Sequence, residues 1–207
     1  MTKARSPDPV FLDLPLPVHT DRFLMRPPTM GDGAAMAEAV AESYDELHPW
    51  FHEGMGGRER ERTPVWQEMI AVRFLSQFLS RERLPFYAFE GDMLCAFVEL
   101  RPDWRVGRHR LSYWVRSSMT GRGIATEAVG AITSYAFAAL DARVVTVGHA
   151  EGNVGSAALI KKLGFEPIAR QPLGYEMPDG TLIDNLSYAM RDQTRLPKLN
   201  VRWKDDT

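Results

Sequence analysis

The stretch SYWVRSSMTGRGIATEAV, residues 112–129, constrains this chain more than any other. It passes from a strand-like run ending at Trp114-Val115 through a Gly/Ser-rich turn into an alanine-rich helix, with Gly121 and Gly123 on either side of Arg122 at the helix start. A helix N-terminus leaves several N–H groups unpaired and carries about half a positive charge, which suits a phosphate. Glycine lets such an anion reach the backbone with no side chain in the way. Two readings fit the glycines: an anion cradle, or a tight strand-to-helix turn without a ligand. The spacing excludes the G-x-x-x-x-G-K-[ST] loop, and it excludes G-x-G-x-x-G because Thr126 stands three residues after Gly123. Ile124, Ala128, Ile132 and Tyr135 then mark the helix face that turns toward a sheet.

Around this unit the elements alternate in type. RFLMRP (22–27) reads as a first strand, MGDGAAMAEAVAESYDEL (30–47) as a helix capped by Thr29 or Asp32, and HPWFHEGMGGRERERTP (48–64) as a break. A helical period returns through Trp66, Met69, Ile70, Phe74, Phe78 and Leu79. FYAFE and MLCAFVEL, joined by Gly91-Asp92, form a hairpin pattern, HRLSYWV is a third strand, and the helix at 122–140 follows. RVVTVGH is a β-branched buried strand, NVGSAALIKKL a short helix, and FEPIAR and NLSYAMR closing strands. Neighbouring antiparallel strands among helices predict a layered α/β (α+β) fold: one mixed, mostly antiparallel sheet flanked by helices. Residues 1–18 read as an extended, proline-set arm, 19–191 as a single folded domain and 192–207 as a polar, loose tail.

Composition narrows the partners. A formal charge of -2 gives no electrostatic case for nucleic acid or an anionic membrane. No apolar run approaches the roughly 18 residues of a membrane span, and Asp8, Asp13 and the prolines interrupt what would be a signal peptide. Cys95 is the one cysteine and cannot pair within the chain, so a reducing, cytoplasmic setting is expected; mid-strand, it reads as a small core residue. His48 and His52 are four apart, but Pro49 lies between them and no third ligand is in view, so no metal is expected.

The motifs resemble a known family. Thr120-Gly121-Arg122-Gly123-Ile124-Ala125 is similar to the Q/R-x-x-G-x-G/A signature of the GCN5-related N-acetyltransferases (GNAT), with Thr120 where Gln or Arg is usual. Asn153–Phe165 resembles their N-x-x-S-x(5)-K-x-G-F segment, although local capping by Asn153, Lys161, Lys162 and Gly164 also explains most of it. TDRFLMRP, GRGIATEAV and DGTLIDNLSYAM resemble the ribosomal-protein N-terminal acetyltransferase branch, and together these matches span about residues 20–191.

The resemblance implies acetyl-CoA as cofactor and direct transfer to a primary amine, a protein N-terminal α-amine or a small amine, amino acid or antibiotic. It places cofactor contacts at Trp114, Val115, Arg116, Thr120, Gly121, Arg122, Gly123, Ile124, Ala125, Thr126, Asn153, Ser156 and Lys162. A backbone N–H near Val115 would meet the thioester oxygen. Ser156 is the candidate proton donor to the leaving thiolate, against a plain helix-turn serine, and Glu176 the candidate base, against a solvated loop carboxylate. Glu99 is a second candidate base. Trp50 and Phe51 line the acceptor pocket or belong to the core. Family members often pair, so the resemblance leaves a homodimer open, and the sequence does not fix the oligomer. A non-catalytic acyl-CoA-binding module and a bare scaffold are the rival readings.

Overall fold

The computed structural model describes residues 8–52 and 62–203. Its strands are β1 Val18–His19, β2 Leu24–Arg26, β3 Leu84–Glu90, β4 Met93–Asp103, β5 Arg108–Val115, β6 Val144–Ala150, β7 Glu166–Glu176, β8 Leu182–Met190 and β9 Arg202–Trp203. They form one sheet in the order β7-β8-β6-β5-β4-β3-β2-β1-β9. Every neighbouring pair is antiparallel except β5 with β6, which are joined by a crossover helix. The helices are α1 Gly33–Phe51, α2 Pro64–Leu79, α3 Ile124–Ala138 and α4 Val154–Leu163.

The period of two along the central strands sorts the core into two layers. Leu84, Phe86 and Ala88 of β3, Ala96, Val98 and Leu100 of β4 and Leu111 of β5 pack with Ile124, Ile132 and Tyr135 of α3 and Leu159 and Ile160 of α4. The alternate residues Tyr87, Phe89, Phe97 and Trp114 pack on the other face with Met36 and Val40 of α1 and Phe74 of α2. Side chains on β5 therefore change face at each step: Tyr113 and Val115 lie toward α3, Ser112 and Trp114 toward α1. Cys95 is fully buried in the first layer, and burial pushes its thiol up.

Three segments differ from their sequence-based readings. The break expected from His48 begins later, because α1 continues through Pro49 to Phe51. Proline forfeits one hydrogen bond but is tolerated here, in the last turn, and the Tyr175 hydroxyl donates to the Pro49 carbonyl at 3.2 Å. Residues 53–61, the bulk of the expected surface loop, lie outside the described residues. Residues 192–203 of the C-terminal segment are not loose: β9 pairs with β1, Trp203 meets Tyr135 edge-on at 5.6 Å, Asn200 Nδ2 donates to Asp21, and Arg195 pairs with Glu166. The described part of the arm is likewise drawn in, with Leu14 buried and Val18 a sheet residue.

Candidate active site

The site begins with a break in pairing. Parallel strands β5 and β6 are hydrogen-bonded from Arg108↔Val144 only as far as Leu111↔Val147. Beyond that point Ser112–Val115 stay with β4, and Gly148–Ala150 stay with β8, so the strands separate as a wedge. The Arg116 N–H donates to the Cys95 carbonyl on β4 at 2.9 Å. Backbone donors alternate in direction along a strand, so the Val115 N–H points the other way, into the wedge.

At the head of the wedge lies the start of α3. Gly121 and Gly123 stand at φ 73° and 77°, conformations that favour glycine. The other helix starts are satisfied by protein groups: Glu68 accepts from Gly31 and Gly33 at α1, Thr63 from Trp66 at α2, and Asn153 Oδ1 from the Ser156 N–H at α4. The α3 N-terminus has no side-chain cap. It is left as a set of donors aimed at solvent.

The loop before α3 is fastened from outside. Thr20 Oγ1 and Arg22 Nε both donate to Glu127, at 2.6 and 2.7 Å, and Arg22 Nη1 donates to the Arg122 carbonyl at 3.0 Å. The Thr-x-Arg and Ala-Thr-Glu patterns, far apart in sequence, are thus two halves of one clamp. On the other side the Arg116 guanidinium is held by Glu38 and Glu42 at 2.6 Å, and the Ser117 and Ser118 N–H groups donate to Ser43 and Glu42. Arg116, expected among the cofactor contacts, is therefore spent on α1. Arg122 also points elsewhere, with Nη1 on the Met119 sulfur. Neither side chain lines the groove.

That groove, about 530 Å³, is walled by Trp114, Val115, Thr120, Gly121, Gly123, Ile124, Ala125 and Thr126 on one side. Asn153, Ser156 and Lys162 of α4 form the other. A second cavity of about 560 Å³ opens toward the α1 face. The two share Trp50, Phe51, Tyr113, Asn153 and Ser156, so they meet where the strands part. Trp50 and Phe51 are half-buried there, delivered by the extension of α1 that the sequence reading ended early.

The titratable candidates fare differently. Glu176, at the end of β7, is exposed on the cavity wall. Glu99 is fully buried, its two oxygens bound to Arg83 and, at 2.6 Å, to Arg101, so it is not presented to the cavity as a free carboxylate. Its expected role as a second base is corrected to that of an ion-pair anchor. The Tyr113 phenol is pushed up to about 12 by burial, with the Ser156 hydroxyl beside it pulling the other way. Tyr113 and His149, which sequence reading missed, both line the cavity; His149 stacks on Tyr188, with Nδ1 at 2.9 Å from the Ala150 carbonyl. His48 and His52 serve an aromatic ladder from Tyr44 to Tyr175. Among the described residues no group of three His, Cys, Asp or Glu is placed to hold a metal, and no helix is long and apolar enough to cross a membrane.

A family model described as an acetyltransferase (GNAT) domain matches residues 22–166. The chain is a GNAT acetyltransferase. YdaF of Bacillus subtilis strain 168, named for ribosomal N-acetylation, is 25% identical over 135 residues, which cover 65% of this chain and 72% of YdaF. Among solved structures, Mycobacterium smegmatis RimJ in complex with CoA-disulfide superposes with a TM-score of 0.76 at 23% identity, covering 92% of each chain. RimL, a ribosomal L7/L12 α-N-protein acetyltransferase solved with coenzyme A, gives 0.75 at 13% identity, covering 84% of this chain and 96% of its own. These structural likenesses are of fold. The GNAT chain takes acetyl-CoA as its cofactor, and the open α3 terminus, the only helix start among the described residues without a protein acceptor, fits a diphosphate.

Proposed function

We propose that this acetyltransferase acylates the α-amine of a protein N-terminus, with the wedge between β5 and β6 as the place where donor and acceptor meet. The observation that carries the reading is that the groove, which runs to the start of α3, and the cavity, which holds Glu176, meet where β5 and β6 part, sharing Tyr113 and Ser156. When bound, acetyl-CoA supplies an activated acetyl thioester. The first-turn amides of α3, with those of Gly121 and Gly123, would hold its diphosphate, and Lys162 would add a cation at the groove wall. The unpaired edge of β5 receives the pantetheine amides as a further strand would be received.

The remaining steps fall to few groups. The Val115 N–H, turned into the wedge, donates to the acetyl carbonyl oxygen as negative charge develops there. Glu176 accepts a proton from the incoming ammonium through water, so the amine attacks in its neutral form. Ser156 Oγ, beside the Tyr113 hydroxyl, would relay a proton, giving its own to the leaving thiolate and taking back the one that the attacking nitrogen loses as the amide forms. Trp50 and Phe51 cover the junction and restrict water.

An acceptor screen tests this. CoA release is followed across N-terminal peptides, polyamines, amino acids and aminoglycosides, with Ser156→Ala and Glu176→Gln alongside. Peptides are expected to react fastest, and each variant to lose about 10²-fold in kcat, the scale of one positioned proton-transfer group. Turnover confined to aminoglycosides or polyamines would reject the peptide acceptor; undiminished kcat in both variants would reject the residue roles.

A further inference from the structure

Among the described residues the acceptor cavity carries more cationic charge than its own carboxylates neutralise. Four of its lining residues are Arg73, Arg83, Arg101 and Arg110. Arg83 and Arg101 share Glu99, but among the described residues neither Arg73 nor Arg110 has a carboxylate partner. Among the described residues the exposed Glu176 is the one carboxylate on the wall itself. The antiparallel register sets Arg101 of β4 directly opposite Arg110 of β5. Like charges in that relation destabilise a sheet pair, so the arrangement has a cost in the free protein that an anion between the guanidinium groups would remove. Arg83 adds a second sign of incompleteness: its Nε is buried without a hydrogen-bond partner.

The position of this cluster fixes what it can read. Arg101, Arg110 and Ser112 lie on the face shared with Trp114, toward α1 and α2, whereas the α3 cradle lies on the other. The cluster is therefore not part of the diphosphate site. Arg110 precedes Tyr113, at the wedge, by three strand residues, roughly 10 Å at about 3.3 Å per residue. An extended acceptor covers that distance in about two to three residues.

We infer that the acceptor is a primary amine tethered to an anion, read by Arg110 and Arg73 with Arg101 behind them. For a peptide this means an acidic side chain at the second or third residue; for a small molecule, an amine bearing a phosphate or carboxylate at similar reach. The inference rests on the cavity being the acceptor site, as proposed above.

The test compares matched pairs. Ser-Asp-Glu, Ser-Ala-Ala and Ser-Lys-Lys peptides of equal length, and phosphoethanolamine against ethanolamine, are measured by calorimetry for binding and by CoA release for turnover. The acidic peptide is expected to bind at least tenfold more tightly than the neutral one, the scale of one hydrogen bond to a charged group, with the preference in KM and not in kcat and shrinking as salt rises. Arg73→Ala/Arg110→Ala brings the acidic-to-neutral ratio toward one, and Arg110→Glu shifts preference to the basic peptide. A preference seen only for phosphoethanolamine assigns the anion to a small molecule. Equal binding of acidic and neutral members in both pairs, or a ratio unmoved by the double variant, overturns the inference while leaving the acetyltransfer reading intact. Should no acceptor be turned over, that reading fails, and the calorimetric ratio still decides this one.

Discussion

Replacing Gly123 by Asp separates what the α3 terminus does for folding from what it does for the cofactor. Gly123 stands at φ 77°, ψ 4°. An L residue there costs about 1–2 kcal/mol, with Asp at the low end. Space is not the obstacle, since a Cβ would meet only Arg22 Nη2 at 3.7 Å, an ordinary contact. A carboxylate at a helix N-terminus returns about 0.3–1 kcal/mol. The net loss of stability is therefore about 0.5 kcal/mol, which lowers Tm by about 1–2 °C in a domain of this size. Cofactor binding responds on another scale. The new carboxylate lies against the same amides that would hold the diphosphate, and each charge-assisted hydrogen bond displaced is worth about 1.5–3 kcal/mol, so Kd for CoA rises more than tenfold. Gly180→Asp is the control: it carries the same kind of strain at φ 83° in the β7–β8 turn, with nothing within 4 Å. With no helix terminus to offset the strain it loses about 1 kcal/mol, so its Tm falls by about 2–4 °C, and its affinity for CoA is unchanged. Thermal unfolding and calorimetric titration with CoA read both quantities. A Gly123→Asp protein that is folded and binds CoA within threefold of the parent would refute the cradle.

Glu127→Gln leaves the clamp isosteric but removes the charge that Arg22 and Thr20 share; Glu127 is largely buried and Arg22 a third exposed, so the loss is about 1 kcal/mol, together with a raised KM for acetyl-CoA as the loop loosens. Deleting residues 201–207 removes β9 and the Trp203 ring from Tyr135, and is expected to cost about 2 kcal/mol by denaturant titration, against no change if the segment were free. His109 is buried beneath Trp104 and burial lowers its pKa, so the folded state favours the neutral ring. Its contribution is present above the unfolded value of about 6.5 and is lost as pH falls through the lower folded value, at up to about 1.4 kcal/mol per pH unit. His109→Phe should flatten the stability profile between pH 7 and 5.

What could be read from the chain without coordinates follows the range of the interactions involved. The strand, glycine turn and helix at 109–138 are local, and so is the Asn153 cap, so residue types alone located the groove walls. The errors share a different cause. Pro49 is a helix breaker by local rules, and the sequence offers no sign that Tyr175, more than a hundred residues on, will take up its carbonyl. Arg116 beside a phosphate loop reads as a phosphate ligand until Glu38 and Glu42, one helical turn apart on α1, are seen to claim it. β9 is two residues long, too short for any period to register, and gains its place from β1. The arginine cluster belongs to the same class: Arg101 and Arg110 are cross-strand neighbours only because the turn at 104–107 fixes the register, and Arg73 and Arg83 arrive from α2 and the segment after it. A motif therefore locates the groove beside the start of α3. The arginine cluster inferred to read the acceptor is assembled from residues scattered across helix, hairpin and loop, and it becomes visible only as charge gathered on one face of the sheet.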